Sequence, residues 1–176
     1  MKICGIKASH DGGVAVIEDG SLRFSVEIEK LDNGARYSYL GDLQRVIDIL
    51  ANEGVSSAEI DQFVVDGWYT LGANGSPAIT LRNEGRPVEL AVAPYVESPG
   101  DEGPLQRHRF DGHAFIGGVG YVSFSHVTNH LLGAYCSSLC VPKTSSTSCD
   151  QAVFVDRATD MSPSPDAVLV EVDRFG

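Results

Sequence analysis

Hydrophobic and polar positions change their spacing several times along the chain. Residues 2–7 (KICGIK) and 14–18 (VAVIE) are short apolar runs, 22–29 (LRFSVEIE) alternates, and Ser9–Gly13 and Asp19-Gly20 separate them. The pattern predicts three consecutive antiparallel strands, because Asp-Gly accepts the positive φ that a two-residue hairpin demands. Over 42–53 (DLQRVIDILANE) the period lengthens and Leu43, Val46, Ile47 and Leu50 share one helical face, with Gly54 as the stop. This predicts an amphipathic helix packed on the sheet.

Ser56-x-x-Glu59 has the form of a capping box, and 60–65 (IDQFVV) reads as a buried strand ending at Asp66-Gly67. From Trp68 to Val122 the pattern weakens. A hairpin is expected from 79–81 and 88–92, and 97–112, rich in Pro, Gly and charge, reads as a mobile loop. Residues 125–140 form a helix with Ser125 as its N-cap, 152–156 (AVFVD) is a strand, and 167–173 (AVLVEVD) completes a last hairpin. The fold class is mixed α/β, with a mixed sheet opening on three antiparallel strands and flanked by helices.

Composition narrows the partners. The 176 residues carry 13 Lys plus Arg against 24 Asp plus Glu, a formal net charge of -11. Such a surface argues against unaided binding to nucleic acid or to an anionic membrane. No apolar stretch reaches the ~20 residues of a membrane-spanning helix, and Lys2, Lys7 and His10 interrupt the first hydrophobic run, so a soluble, cytoplasmic protein is expected. The 4 cysteines are too few and too clustered for a disulfide framework, and free thiols are expected.

Three groups of residues carry candidate chemistry. His10, in the Ser9–Gly13 turn, can accept a proton near neutral pH, and a glycine-bearing turn can aim backbone N–H groups at a phosphate; the bland alternative is an exposed β-turn capped by Asp11. His126 and His130 are spaced i, i+4, which puts both imidazoles on one helical face within reach of a single divalent ion; the alternative is a pair of half-buried helix histidines. Position 127 is Val, so the zinc-protease motif with its glutamate is excluded. Cys136 and Cys140 continue that face, yet the helical rise of 1.5 Å per residue puts Cys136 about 9 Å beyond His130, and the cysteines read as small core residues. Asp156 ends a strand beside a turn, where it can approach a phosphate-linked metal or act as an ordinary turn residue.

The order of these groups resembles one family. KICGIKASHDGGVAVIEDGSLRFSVEIEK looks like the opening of the O-carbamoyltransferases of the nodulation and antibiotic-tailoring type, and FSHVTNHLLGAY is similar to their histidine-bearing metal helix. AVFVD falls where the family has a strand ending in Asp, although Arg157 stands where glycine is usual. The resemblance implies a ribonuclease H-like lobe of an actin-like ATPase fold, related to the threonylcarbamoyl-tRNA synthesis enzyme. It implies that carbamoyl phosphate and ATP yield carbamoyladenylate, whose carbamoyl group passes to the hydroxyl of a small-molecule acceptor.

By the same resemblance His10 is catalytic, Asp11 and Asp156 contact substrate or nucleotide, and His126 and His130 ligate Fe²⁺ or a similar divalent metal. The chain is then a single N-terminal lobe over 1–176 with a loop- and hairpin-rich insertion at about 68–122. A second actin-like lobe, from the same gene or a partner chain, completes the site. Within the insertion, Arg107, His108, Arg109 and His113 either shape an acceptor pocket or an inter-lobe contact, or belong to a solvated surface loop. Two alternatives stand beside this reading: a non-catalytic binding module that kept the lobe, and a relative of the threonylcarbamoyl-tRNA enzyme.

Overall fold

The computed structural model describes residues 1–32, 38–68, 70–97 and 105–139, with side chains described for all of these except 32 and 133–139. The expected strands at 152–156 and 167–173, together with Asp156, Cys140 and Cys149, lie outside the described residues.

β1 (Lys2–Lys7), β2 (Gly13–Glu18) and β3 (Ser21–Glu27) form the expected antiparallel meander. Asp19 (φ 49°) and Gly20 (φ 78°) make the second turn with both residues left-handed, as a primed hairpin turn requires. The alternation predicts β3 running to Glu29, but the strand stops at Glu27. Ile28 donates its N–H to the Gly12 carbonyl at 2.8 Å and buries its side chain completely, opening the short helix α1 (Ile28–Asp32). One buried apolar contact outweighs the continuing alternation.

α2 (Leu43–Asn52) buries Leu43, Val46, Ile49 and Leu50, while Ile47 packs at the margin of the core. Its ends are satisfied locally. Asp42 accepts a hydrogen bond from the Gln44 N–H at 2.9 Å, and beyond the last turn the Val55 N–H returns to the Leu50 carbonyl at 2.8 Å around left-handed Gly54. Asp42→Ala is expected to cost about 1 kcal/mol in urea denaturation; an unchanged midpoint would show that Asp42 does not stabilise the helix end. The Ser56 hydroxyl accepts from the Ala58 N–H at 3.3 Å, and Glu59 is held below the usual carboxylate range first by Lys2 and then by the Ser56 backbone.

After α2, β4 (Gln62–Asp66) pairs parallel with β1, two residues later than the apolar run suggests at its start. β5 (Ala78–Asn83) and β6 (Arg86–Ala91) form the expected hairpin as a separate two-stranded sheet, turning at Glu84 and Gly85. Leu81, Ile79 and Leu90 join the common core. The mobile-loop expectation for 97–112 is corrected in part: β7 (His108–Phe110) pairs with β8 (Tyr121–Phe124) at the sheet edge. Phe110 tilts over Tyr121 with centroids 5.5 Å apart, which gives this polar stretch an apolar anchor.

The main sheet has the order β3-β2-β1-β4-β8-β7, with β1, β4 and β8 mutually parallel at its centre. The mixed sheet and its flanking helices make the fold mixed α/β. α3 (His126–Leu139) leaves the end of β8, and the Ser125 hydroxyl caps it by accepting from the Thr128 N–H at 3.2 Å. Cys4 is a fully buried free thiol in β1, and burial pushes it up to about 12, so it carries almost no thiolate at neutral pH. Among the described residues no helix is long and apolar enough to cross a membrane.

Candidate active site

Three neighbouring parallel strands end at the same edge of the sheet. Beyond β1 stands His10, beyond β4 come Asp66, Gly67 and Trp68, and beyond β8 the chain enters α3 at His126. In open α/β sheets the carboxyl ends of parallel strands are where ligands gather, because the loops there diverge and leave a crevice.

The turn at 9–13 is held by the backbone more than by its side chains. Gly12 donates to the Ser38 carbonyl at 2.8 Å and lies so close to the 38–40 segment that a Cβ would stand 2.7 Å from the Leu40 nitrogen. Glycine is required there by proximity, and its N–H is already used, which removes it from the expected role of binding phosphate. Asp11 (φ 53°) carries the left-handed bend and places Oδ2 2.9 Å from Nδ1 of His10. With the proton on Nδ1, the lone pair of His10 is on Nε2.

His126 is buried, 3% exposed, and its Nδ1 lies 2.6 Å from Oδ2 of Asp66, itself 4% exposed. Its Nε2 faces Nε2 of His130 at 2.8 Å, as the i, i+4 spacing predicts. Asn129, one residue earlier on α3, donates its amide to the other Asp66 oxygen and to the Phe124 carbonyl at 3.3 Å. Tyr95 stacks on His126 with centroids 4.8 Å apart and planes 29° apart, and Trp68 meets His126 edge-on at 5.7 Å. Trp68 also meets His10 edge-on at 5.2 Å, and the His10 and His126 rings are 6.2 Å apart. His10 and His126, far apart in the sequence, thus share one aromatic enclosure, and His130 adjoins it through His126.

The arrangement fits a divalent ion on one side. Two nitrogen ligands at about 2.1 Å from one ion, at right angles, are roughly 3 Å apart, close to the spacing of the two Nε2 atoms. A carboxylate on the remote nitrogen of a ligating imidazole is the usual support of such a ligand. Among the described residues no group of three or more His, Cys, Asp or Glu is placed to hold an ion, so the two histidines by themselves do not make a complete metal site.

The other expected residues fall elsewhere. Asp156 and the side chain of Cys136 lie outside the described portion. Arg107 donates to Gln62 Oε1 at 3.0 Å, His108 lies 3.3 Å from Glu97 Oε1, and the His113 side chain is almost wholly exposed. Asp66, Trp68, Tyr95 and Asn129 are the residues that sequence reasoning missed. Asp66 left one signal, an acid directly after a buried strand and directly before Gly-aromatic.

Residues 2–102 match the family described as carbamoyltransferase N-terminus. The chain belongs to this family. Curated relatives match a larger share of the chain. Nodulation protein U of Sinorhizobium fredii is 42% identical over 147 residues, and nodulation protein U of Bradyrhizobium diazoefficiens is 45% identical over 141. Nodulation protein U of Azorhizobium caulinodans is 36% identical over 138. Each match covers 78% of this chain and 24% of the relative, so the chain spans about a quarter of the length of these relatives. No solved structure matches it. Within the carbamoyltransferase match lie His10, Asp11, Asp66, Trp68 and Tyr95, while His126 and His130 follow its end.

Proposed function

We propose that this chain is the N-terminal part of an O-carbamoyltransferase that moves a carbamoyl group from carbamoyl phosphate, through carbamoyladenylate, to the hydroxyl of a small molecule. Membership of the carbamoyltransferase family combined with the paired Nε2 atoms of His126 and His130 carries the reading. The central parallel strands following an antiparallel meander support a ribonuclease H-like lobe of the actin-like ATPase type, filled by residues 1–176 with an insertion near 68–122. A second lobe completes the site, ATP is the second co-substrate, and the enzyme works in the cytoplasm.

His126 and His130 are the residues that would hold Fe²⁺ or a similar ion. When bound, that ion neutralises phosphate charge and so favours the adenylate as a leaving group. His10 is placed to take the proton of the acceptor hydroxyl as its oxygen attacks the carbamoyl carbon and AMP departs with the bonding pair. Asp11 orients His10, and Trp68 limits the ring's rotation. Asp156 joins the nucleotide side in this reading.

The test is metal-dependent stability. At a metal concentration a hundredfold above Kd, Fe²⁺ or Zn²⁺ is expected to stabilise the chain by about 2.7 kcal/mol in thermal unfolding, and a His126→Ala, His130→Ala variant is expected to show no such shift. Identical behaviour of the two proteins would refute the metal reading. Joined to the remaining length of a nodulation protein U relative, the chain is expected to form carbamoyladenylate and pyrophosphate from ATP only when carbamoyl phosphate is supplied, and to release AMP once an acceptor hydroxyl is added. Absence of that reaction in the completed protein would refute the carbamoyltransferase reading.

A further inference from the structure

Two side chains hold Asp66 in one pose. It is buried at the end of β4, with Oδ2 on His126 Nδ1 at 2.6 Å and Oδ1 accepting from the Asn129 amide. A carboxylate offers no proton, so the His126 nitrogen that faces it is the protonated one. The lone pair is thereby left on Nε2, the atom that faces His130 at 2.8 Å.

The second shared contact of Asn129 removes the remaining freedom. Its amide nitrogen also points at the Phe124 carbonyl at 3.3 Å, so turning the amide over would set oxygen against oxygen. Asp66 is locked by an amide that is itself locked by the end of β8. The His126 ring cannot turn away either, because Tyr95 covers its face and the Tyr95 carbonyl accepts from the Val127 N–H at 3.1 Å, tying that cover to the start of α3.

We infer that Asp66, held by Asn129, is a positioning residue that keeps His126 in the Nδ1–H tautomer and so directs the Nε2 lone pair at the ion that His126 and His130 bind. The inference rests on the metal-ligand reading above for its consequence and on the hydrogen bonds alone for its first half. It also separates Asp66 from the ligands themselves, since both its oxygens are already engaged within the protein.

Asp66→Asn tests it with almost no change of shape. Asn129 still offers N–H toward position 66, so the new side chain must turn its oxygen there and its NH₂ toward His126. The imidazole then has to accept at Nδ1 and carry its proton on Nε2, where an ion cannot approach. The same logic accounts for the loss of function when the aspartate of a catalytic triad becomes asparagine.

Two readouts decide the matter on the full chain. In the metal-free protein at mildly alkaline pH, ¹⁵N-imidazole NMR is expected to find His126 as Nδ1–H in the wild type and as Nε2–H in Asp66→Asn. Titration with Co²⁺ or Zn²⁺ is expected to show 10- to 100-fold weaker binding by Asp66→Asn. Asn129→Ala, which leaves the carboxylate in place, is expected to retain Nδ1–H and to lose less than tenfold.

A wild-type His126 carrying its proton on Nε2 would overturn the inference even if the variants fail to fold. Unchanged tautomer and affinity in Asp66→Asn would overturn it as well. A tautomer that switches in a chain whose wild type binds neither metal would uphold the hold of Asp66 on His126 and sink the metal-ligand reading instead.

Discussion

Gly67→Ala is expected to destabilise the protein by about 3 kcal/mol and to disturb the site. A Cβ at this position would stand 2.7 Å from the Phe124 carbonyl oxygen and 2.9 Å from those of Ala93 and Pro94. All three are backbone atoms, so no side chain can swing aside to relieve the contact. The Gly67 N–H donates to Phe124 at 2.9 Å and the Trp68 N–H to Ala93 at 3.2 Å, which means that relief requires β4 to part from β8 or from the 93–94 segment. Either movement displaces Asp66 on one side and Trp68 on the other. Urea denaturation and metal titration of the same variant check both halves. Wild-type stability would mean that the segments separate without cost and that the close approach has no structural role.

His10→Ala is expected to reduce carbamoyl transfer by about 10²- to 10⁴-fold in the completed enzyme, the usual contribution of a positioned general base. Its side chain is 38% exposed and lies outside the buried core, so its loss should change thermal stability little. Metal binding should persist, because His10 approaches His126 only ring to ring at 6.2 Å and leaves the paired Nε2 atoms undisturbed. Formation of carbamoyladenylate from carbamoyl phosphate and ATP should likewise continue while transfer to the hydroxyl fails. Single-turnover measurements of the two half-reactions separate them. Equal loss in both would assign His10 to adenylate formation, and no loss in either would remove it from the mechanism.

The parts of the fold legible in the sequence are those whose causes are local. β1, β2, β3 and α2 announce themselves through alternation, Asp19-Gly20, Asp42 and Gly54, each acting within a few residues. β7 and β8 escape because they are 3 and 4 residues long and gain their stability from one another and from β4. The end of β3 departs from the alternation for a related reason. Ile28 turns inward as its N–H donates to the carbonyl of Gly12, 16 residues earlier, which no alternation can encode.

The candidate site divides along the same line. His126 and His130 were visible as a helical pair because i, i+4 is a local distance. Asp66 was visible only as a strand-ending acid, since the partner that gives it meaning is 60 residues away. Trp68 and Tyr95 lie in a segment with weak periodicity; the parallel pairing of β4 with β8 brings Trp68 to the head of α3, and the hydrogen bond from the Val127 N–H to the Tyr95 carbonyl holds Tyr95 there. Residue type suggested the chemistry, and topology decided which residues share it.

Trp68 has one more consequence. It is the only tryptophan in the chain, and its indole touches rings from the turn after β1, from the segment after β6 and from the start of α3. Its fluorescence therefore comes from a single place, and that place exists only after distant stretches of chain have met across parallel strands, the slow kind of contact to form. The emission of this protein is a built-in gauge of whether the site has assembled, legible without a label and before any substrate is added.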